Sequence, residues 1–350
     1  MKPSVISSTL ALAAARAVDA AAIPDVSSTL QNILQNTHGS DLYTYPTDLT
    51  RGIIPVSSTP AKGRPQANDD GFNQKPFHSH NDYWRDVPFY SGLSYGAVST
   101  EADVWLINGT LYVGHEESAL THARTLSALY ISPILDTLRR QNPSTPFVQT
   151  PTKNGVFDTV AGQTLYLWID LKTDADSTFP AAHAALEPLR RAGYLTTYFP
   201  ANATLVAGPV TVIGTGNTRL SDVLNQTSSS SSDDDDDANA ARDFFLDAPL
   251  ADLPDDITGP EISPVASTDF AAVFGDVGGS AVPALNETQL ATLREQVAAA
   301  RDRGIAARYW DAPGWPVGTR NAVWRTLLDE GVALLNVDDL EGASGFWEME

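Results

Sequence analysis

One stretch of the chain concentrates the residue types that carry acid–base and metal chemistry. Residues 77–116 contain three histidines, His78, His80 and His115, and an acidic pair two residues apart, Glu101 and Asp103. An imidazole titrates near neutrality, so a pair of histidines can serve as general base and general acid. Carboxylate oxygens are the ligands that hard cations such as Mg²⁺ and Ca²⁺ prefer. The stretch therefore contains the components of a cation-assisted acid–base site.

The two carboxylates lie in the segment GAVSTEADVWL, whose branched and aromatic residues predict a β-strand. Alternate residues of a strand share a face, so Glu101 and Asp103 point one way and their neighbours point the other. The same period of two in LYLWIDLKTD places Asp170 and Lys172 on one face. We therefore predict Glu101, Asp103 and Asp170 as metal ligands. Lys172 beside them would neutralise negative charge on a substrate oxygen.

This combination matches the requirements of phosphodiester cleavage. One histidine would deprotonate the nucleophile and another would protonate the leaving oxygen, while the metal and Lys172 stabilise the charge at phosphorus. His80, or else His78, would pair with His115 in these roles. The expected substrate is a small-molecule or lipid phosphodiester. Three further side chains are expected to contact it: Asn81, Trp310 and Asp338.

The reactive residues are predicted to lie at strand ends, because KPFHSH and TLYVGHE are short strand patterns. Further strands are predicted in VTVIGTG, FFLDAPL, IAARYWD and VALLNVDDL. Helices are predicted over residues 87–95, 132–141, 179–192, 287–304 and 321–331. This alternation predicts parallel strands covered by helices. Since polar residues follow many strands and not one switch point, we predict a closed TIM (β/α)₈ barrel in preference to a doubly wound sheet.

Composition limits the classes of partner. The chain has 43 acidic and 22 basic residues, a formal net charge of −21, so neither nucleic acid nor an anionic membrane surface is expected to bind it. It contains no cysteine, which excludes disulfides, thiolate catalysis and Cys-ligated metals. No apolar run reaches the roughly 18 residues that span a bilayer, so no transmembrane anchor is expected. We expect a monomer.

Three regions differ in composition. Residues 1–22 combine a lysine, a mildly apolar run and a small-residue end, the pattern of a signal peptide. Residues 23–74 are rich in Ser, Thr, Pro, Asn and Gly and are predicted to be a loosely ordered extension. The barrel is expected over 75–350, with a disordered insertion at about 226–241 that contains SSSSSDDDDD. Four sequons agree with secretion: Asn108, Asn202, Asn225 and Asn286.

Five motifs are similar to those of a known family: HSHNDY, EADVWL, LYVGHE, RYWDAPGWP and LNVDDL. From about Lys75 onward the chain resembles the fungal altered inheritance of mitochondria protein 6 family, within the phosphatidylinositol phospholipase C-like (PLC-like) and glycerophosphodiester phosphodiesterases. The resemblance implies a PLC-like TIM barrel that hydrolyses a glycerophosphodiester or phospholipid-type substrate, with a metal at Glu101, Asp103 and Asp170. The family name implies a mitochondrial association as an alternative to secretion.

The resemblance leaves two candidates for the first catalytic histidine. Spacing to the downstream Pro88 favours His80, which would act with His115. The HxxN pattern of spider sphingomyelinase D is matched by His78 to Asn81 and favours His78. Both assignments are open at this point.

Two other functions are compatible with a barrel. His78 and His80 match the HxH metal motif of amidohydrolase-type barrels, but those need further histidines on later strands, and the last histidine of this chain is His183. A barrel could also bind a lipid head group or a partner without turnover. Hydrolysis of a generic aryl phosphodiester would distinguish an enzyme from such a binder.

Overall fold

The computed structural model describes residues 76–147, 150, 152–157, 160–226 and 241–346. The predicted signal peptide (1–22), the predicted extension (23–74) and residues 227–240 of the predicted insertion lie outside these ranges. The described residues include every strand and helix predicted from residue 77 onward.

The described chain contains eleven strands, eight of which form a closed parallel barrel. They are β1 (Phe77–Ser79), β2 (Ser99–Ile107), β3 (Thr110–Val113), β4 (Leu165–Leu171), β5 (Thr197–Phe199), β6 (Thr204–Val206), β7 (Val210–Gly216), β8 (Phe244–Pro249), β9 (Val265–Asp269), β10 (Ala306–Trp310) and β11 (Leu334–Val337). The barrel runs β1-β2-β4-β7-β8-β9-β10-β11 and closes through parallel pairing of β11 with β1. β3 pairs antiparallel with β2, and β5 with β6. The predicted TIM barrel is confirmed.

The described chain contains nine α-helices, eight between strands and one after β11: α1 (Tyr90–Ser94), α2 (Ser132–Gln141), α3 (Ala175–Ala185), α4 (Glu187–Arg191), α5 (Leu220–Leu224), α6 (Phe270–Phe274), α7 (Glu287–Arg301), α8 (Val317–Asp329) and α9 (Leu340–Phe346). The prediction of one helix over 179–192 is wrong, because two helices occupy this region. Asp174 caps α3 by accepting from the Ser177 N–H at 3.2 Å. Pro188 lacks the N–H that would continue α3, so the chain restarts as α4.

Strand β9 and the first turn of α8 are absent from the elements predicted from the sequence. The β9 segment, VASTD, has only two apolar residues, and its strand conformation depends on parallel pairing with β8 and β10. The α8 helix begins at Val317, directly after Pro316, and not at residue 321. A proline immediately before a helix is compatible with its start, because the first helical N–H groups need no internal partner.

Side chains inside the barrel lie in layers. TIM-barrel strands are staggered by about one residue from each to the next, so inward side chains at one height come from alternate strands. The pairing registers place four at one height, which we call the lower layer: His78, Trp168, Asp247 and Arg308. The four next towards the C-terminal ends of the strands form the upper layer: Glu101, Thr215, Ser267 and Asn336. Polar and charged groups thus occupy heights where TIM barrels usually carry branched apolar residues.

The apolar core lies between the barrel and its helices. Ala102 and Val104, on the outward face of β2, are fully buried. Their inward neighbours are Glu101 and Asp103, as the period of two predicts. The strand pattern alone therefore separates core residues from site residues on β2.

Gln226 closes the connection between α5 and β8. Its side-chain oxygen accepts from the N–H groups of Asp243 and Phe244, both at 3.1 Å. Its nitrogen donates to the carbonyls of Val223 at 2.7 Å and Phe244 at 2.6 Å. One buried side chain therefore ties together the residues on either side of 227–240, at the end of the barrel where β8 begins.

Deleting residues 228–237 should leave thermal stability nearly unchanged. Gln226 already holds both flanks, and a run of serines and like-charged aspartates has little apolar surface to bury. We expect a melting temperature within about 2 °C of the full-length protein by calorimetry. Gln226→Ala is the comparison. It leaves buried polar groups without hydrogen-bond partners and should therefore lower the unfolding free energy by about 1–3 kcal/mol. A deletion more damaging than Gln226→Ala would mean that the segment packs.

Candidate active site

Three carboxylates meet on neighbouring strands, two of them within β2 and the third near the C-terminal end of β4. Glu101 and Asp103 lie on β2 and Asp170 on β4, with Asp103 opposite Asp170 in the pairing register. One oxygen of each lies within 4.8 Å of the others. The Oδ1 atoms of Asp103 and Asp170 are buried and have no hydrogen-bond partner among the described residues. This donor set fits a hard divalent cation such as Mg²⁺ or Ca²⁺.

Lys172 holds the two aspartates together. Its Nζ lies 2.9 Å from Asp103 Oδ2 and 2.8 Å from Asp170 Oδ2. Burial raises the pKa of both aspartates, repulsion from Glu101 adds to this, and Lys172 opposes it. Burial would lower the pKa of Lys172, but the two aspartates raise it overall, so the amine stays protonated. Lys172 thus lies beside the predicted metal ligands, as the strand period predicts.

Glu101 is held as a carboxylate by donors from β1 and the loop after it. Its Oε2 accepts from the Asn81 N–H at 2.9 Å and contacts His78 Nε2 at 3.3 Å, with His80 Nε2 at 3.9 Å. Burial alone would raise the pKa of Glu101, but the hydrogen bond from His78 and nearby positive charges hold it well below its usual range. Asn81 reaches this carboxylate through a left-handed backbone with φ of 47°.

His78 is enclosed in the lower layer. It is fully buried, with Nδ1 2.7 Å from Ser99 Oγ and Nε2 directed at Glu101. Burial and the nearby charge of Arg308 lower the pKa of His78 to about 4, so the imidazole is neutral at pH 7. Both ring nitrogens are engaged. This environment suits a residue that orients Glu101 and gives no access to a substrate.

His80 lies at the mouth of the barrel, with 26% of its side chain exposed. Its Nδ1 lies 2.8 Å from Asp338 Oδ1. Burial would lower the pKa of His80, but the hydrogen bond to Asp338 and the charge of Glu101 raise it overall. Of the two histidines in HSHNDY, His80 is therefore the one that is accessible and easily protonated.

A β-hairpin returns His115 to the carboxylates. β2 and β3 are joined by Asn108 and Gly109, whose φ values of 50° and 78° are those of a tight hairpin turn. His115 Nδ1 lies 3.4 Å from Asp103 Oδ2 and 3.2 Å from Tyr83 Oη. The side chain is half exposed. The accessible histidines thus flank the trio at different carboxylates.

Tyr83 belongs to the inner wall of the site. It donates its O–H to Asp103 Oδ2 at 2.8 Å and contacts Asn81 Oδ1. Burial and the charge of Asp103 raise the pKa of Tyr83, so the phenol stays a donor. Asn81 is 5% exposed, and its side chain supports Tyr83. The substrate contact of Asn81 stays a prediction, which this buried position does not favour.

Exposed aromatic side chains surround the mouth. Trp84, which is 60% exposed, follows β1, while Trp310 (38%) and Trp315 (77%) end and follow β10. Trp84 packs edge-on against His115 with ring centroids 5.4 Å apart. Trp310 and Asp338, both predicted to bind substrate, lie at this same end of the barrel. Their substrate contacts stay predictions.

Sequence reasoning misses Arg308 as a site residue. Arg308 is buried, donates to Asn336 Oδ1 at 2.6 Å and Ser267 Oγ at 3.2 Å, and lies 4.4 Å over the Trp168 ring. A usable signal exists in IAARYWD, where Arg308 stands two residues before Trp310. A strand period of two puts a charged side chain on the same inward face as a mouth residue.

Asp247 is the second charged residue that sequence reasoning misses, in the predicted strand FFLDAPL. It accepts from Thr215 Oγ1 at 3.1 Å. Its Oδ1 is inaccessible and has no partner within the described chain, although part of the side chain is exposed. Burial raises the pKa of Asp247 to about 7.

Asp247→Asn should stabilise the protein at high pH. The folded state raises the pKa of this carboxyl from 3.8 to about 7. Its contribution to stability is therefore complete below about pH 4 and is lost as the pH rises through 7, whereas asparagine stays neutral. This pKa shift limits the gain in unfolding free energy from Asp247→Asn to about 4 kcal/mol. Since the side chain is partly exposed, we expect a gain of about 1–2 kcal/mol at pH 8.

Urea unfolding of wild type and Asp247→Asn at about pH 5 and pH 8, in EDTA, measures this difference. Asp255→Asn is the matched control, because it removes the same charge from a fully exposed position. The gain from Asp247→Asn should grow with pH and that from Asp255→Asn should stay near zero. If the difference in unfolding free energy between wild type and Asp247→Asn were the same at both pH values, the raised pKa of Asp247 would be contradicted.

Comparison with known proteins assigns the chain to a family. The model of the AIM6-like phosphodiesterase domain matches residues 69–232. The altered inheritance of mitochondria protein 6 homolog of Arthroderma benhamiae is 49% identical over 355 residues, which cover 99% of this chain and 100% of that protein. This chain belongs to the altered inheritance of mitochondria protein 6 family. The family explains the five motifs on which the sequence resemblance rests.

Other relatives extend this family. The Eremothecium gossypii protein is 38% identical over 77% of this chain and 68% of its own length. The Saccharomyces cerevisiae protein is 34% identical over 84% of this chain and 75% of its own length. A glycerophosphodiester phosphodiesterase structure from Parabacteroides distasonis matches with a TM-score of 0.41 and 10% identity, over 78% of this chain and 97% of that one. The phosphodiesterase domain of this chain is the one that the family model matches, over residues 69–232.

Two features bear on the other sequence predictions. In the part of the chain that the structure describes, the one group of three or more potential metal ligands is the carboxylate trio, which contains no histidine. The geometry thus gives no support to the amidohydrolase interpretation of His78 and His80. No helix among the described residues has the length and hydropathy to cross a membrane.

Proposed function

We propose that this protein is a divalent-cation-dependent phosphoric diester hydrolase that acts on a glycerophosphodiester or phospholipid-type substrate. The observation that carries the proposal is the carboxylate trio with unpartnered oxygens, flanked by His80 near Glu101 and His115 near Asp103. Membership of a family with a phosphodiesterase domain supports the same reaction class.

The proposed mechanism divides charge stabilisation from proton transfer. A cation held by Glu101, Asp103 and Asp170 would supply Lewis-acid polarisation of a phosphoryl oxygen. His80 and His115 supply the proton transfers: one takes the proton of the attacking water or hydroxyl, and the other gives a proton to the leaving oxygen. The contact with Asp338 through Nδ1 orients His80 and leaves Nε2 on the side of the carboxylates.

Three neighbouring side chains position the ligands. Lys172 and Tyr83 both donate to Asp103 Oδ2, which leaves Oδ1 available. His78 contacts Glu101 from the lower layer. Since a buried, neutral imidazole is suited to positioning, we assign acid–base catalysis to its accessible neighbour in HSHNDY.

The side chains at the mouth of the barrel are suited to a substrate with both polar and apolar parts. Exposed Trp84, Trp310 and Trp315 provide aromatic surface beside a polar interior, and tryptophan is a side chain that favours boundaries between polar and apolar environments. A phospholipid or lysophospholipid has both a polar head group and apolar acyl chains. A glycerophosphodiester has only the polar part. Secretion, mitochondrial association and the monomeric state stay predictions.

Phosphorus NMR tests the proposed function. The protein is incubated with glycerophosphocholine, glycerophosphoinositol, lysophosphatidylcholine and phosphatidylinositol, each with Mg²⁺, Ca²⁺ or EDTA. We expect at least one diester to give a phosphomonoester or cyclic product with cation and none in EDTA. A protein inactive on all four and on an aryl phosphodiester would contradict the proposal and favour a barrel that binds without turnover.

A further inference from the structure

The β5–β6 hairpin is a surface feature at the end of the barrel where the strands begin. It directly precedes β7, and the backbone groups of Tyr198 and Arg242, just before β8, exchange two hydrogen bonds at 2.7 and 2.9 Å. The active site of a TIM barrel lies at the other end, where the strands finish. The proposed reaction therefore does not use this hairpin.

The two faces of the hairpin have different surroundings. The Arg242 guanidinium lies 4.7 Å from the centroid of the Tyr198 ring, so the face that carries Tyr198 is turned towards the barrel. Phe199 pairs with Thr204, and Val206 shares their face because alternate strand residues point the same way. Phe199 is 40% exposed and Val206 is 46% exposed. This outer face thus presents an aromatic ring and a branched apolar side chain to solvent.

The turn of the same hairpin contains one of the four sequons. Asn202 lies three residues after Phe199, and Thr204, which completes the sequon, is the cross-strand partner of Phe199. Asn202 is exposed, and within the described chain its side-chain amide has no hydrogen-bond partner. Ala203 reverses the chain with a left-handed φ of 52°. The sequon and the exposed ring therefore belong to one short turn.

Two other sequons have different surroundings. The side-chain oxygen of Asn286 caps α7 by accepting from two N–H groups of its first turn, both at 3.0 Å. Asn108 lies in the β2–β3 turn, where the sequon threonine Thr110 pairs with Ile107. Of these three sequons, the one at Asn202 is the one whose threonine lies opposite an aromatic side chain.

We propose that Asn202 carries an N-linked glycan whose first sugar covers the Phe199 ring. Attachment of a glycan to a sequon asparagine places a bulky, solubilising group on the surface. One side of a pyranose ring presents C–H groups, and packing this side on an aromatic face removes apolar surface of both from water. The inference goes beyond the proposed function, since it concerns the opposite end of the barrel.

The attachment is a transfer from a lipid-diphosphate-linked oligosaccharide of the secretory pathway. The side-chain amide nitrogen of Asn202 forms a bond to the anomeric carbon of the first sugar and loses one proton. The bond from that carbon to the diphosphate oxygen breaks, and the lipid diphosphate leaves with the electron pair. No oxidation or reduction takes place.

Mass spectrometry tests the modification. The full-length chain is expressed with its own N-terminus in yeast, and each N-linked glycan is trimmed to its first sugar with endoglycosidase H before digestion. We expect the peptide that contains Asn202 to carry one N-acetylglucosamine in most molecules, and Asn202→Gln to remove it. An unmodified Asn202, in protein from the medium or from inside the cells, would overturn the proposal.

The melting temperature tests the contact between the sugar and Phe199. In the trimmed protein, Asn202→Gln should lower the melting temperature by about 1–3 °C, because the ring loses the sugar that covers it. In the Phe199→Ala background the same substitution should cause no shift. Both side chains are exposed, so both variants should fold. Equal shifts in the two backgrounds, or no shift in either, would overturn the proposal.

Protein made in bacteria, which lack this glycosylation pathway, is the matched control. Its melting temperature should be the same with Asn202 and with Asn202→Gln, because no sugar is attached to either. A fall as large as that in the trimmed yeast protein would assign the effect to the asparagine itself and overturn the proposal. Neither measurement uses a phosphodiester, so the glycan and the hydrolase proposals can fail independently.

Discussion

Glu101→Gln should abolish cation-dependent phosphodiester hydrolysis, with kcat lowered by at least about 10³-fold. The substitution keeps the shape of the side chain and removes one negative charge from the trio that the cation would need. Lewis-acid stabilisation is worth several kcal/mol in such reactions, which is the basis of this magnitude. Glutamine can still accept from the Asn81 N–H, so the loop after β1 should stay in place.

Three measurements check this expectation: kcat with Mg²⁺ or Ca²⁺, cation affinity by calorimetry, and melting temperature. Cation affinity and kcat should fall together while the melting temperature changes little. Glu117→Gln is the matched control, because Glu117 is an exposed acid just after His115 and lies outside the trio. Full cation-stimulated turnover in Glu101→Gln would mean that the metal site is misplaced.

His80→Ala and His115→Ala should each lower kcat by about 10²- to 10⁴-fold, the usual share of general acid–base catalysis. The double variant should lose less than the product of the two effects, because groups that act as a unit are not additive. His78→Ala should act differently. It removes a buried ring and leaves Ser99 and Glu101 without its contacts, so it should lower the unfolding free energy by about 1–3 kcal/mol. Its effect on kcat should be smaller than that of His80→Ala or His115→Ala.

The comparison of rate with stability decides between the two histidines of HSHNDY. His122→Ala is the control, since His122 is an exposed histidine outside the trio whose described contact is with Tyr112. A large loss of rate in His78→Ala with a small one in His80→Ala would exchange their roles. Unchanged rates in the His78, His80 and His115 variants would rule out the proposed mechanism.

The strand period predicted the part of the site that lies within single strands. Glu101 and Asp103 share a face of β2, and Lys172 lies beside Asp170, because alternation is a local property. Asp247 and Arg308 have the same period but stand on strands far apart in sequence. The pairing register between those strands decides which inward side chains lie at the same height in the barrel. A local sequence pattern does not contain this register. The lower layer was therefore not predictable as a unit.

The fold was predictable for a related reason. Repeated strand and helix patterns indicate a parallel sheet even when single boundaries are wrong, because each unit contributes the same signal. The break between α3 and α4 depends on Pro188 within an otherwise helical pattern, and β9 depends on its neighbours. A helical period does not report the missing N–H of a proline, and a strand period does not report the pairing that β9 receives from its neighbours.

Gln226 offers a way to orient the protein on a support. Its four hydrogen bonds draw the flanks of 227–240 together where β8 begins, whereas Asp103 and Asp170 of the carboxylate trio lie level with the end of β4. An affinity handle or fluorescent domain inserted into this connection would be attached at the far end of the barrel. Anchored by that handle, every molecule would present its tryptophan-lined mouth outward, towards a dissolved substrate or a layer of lipid.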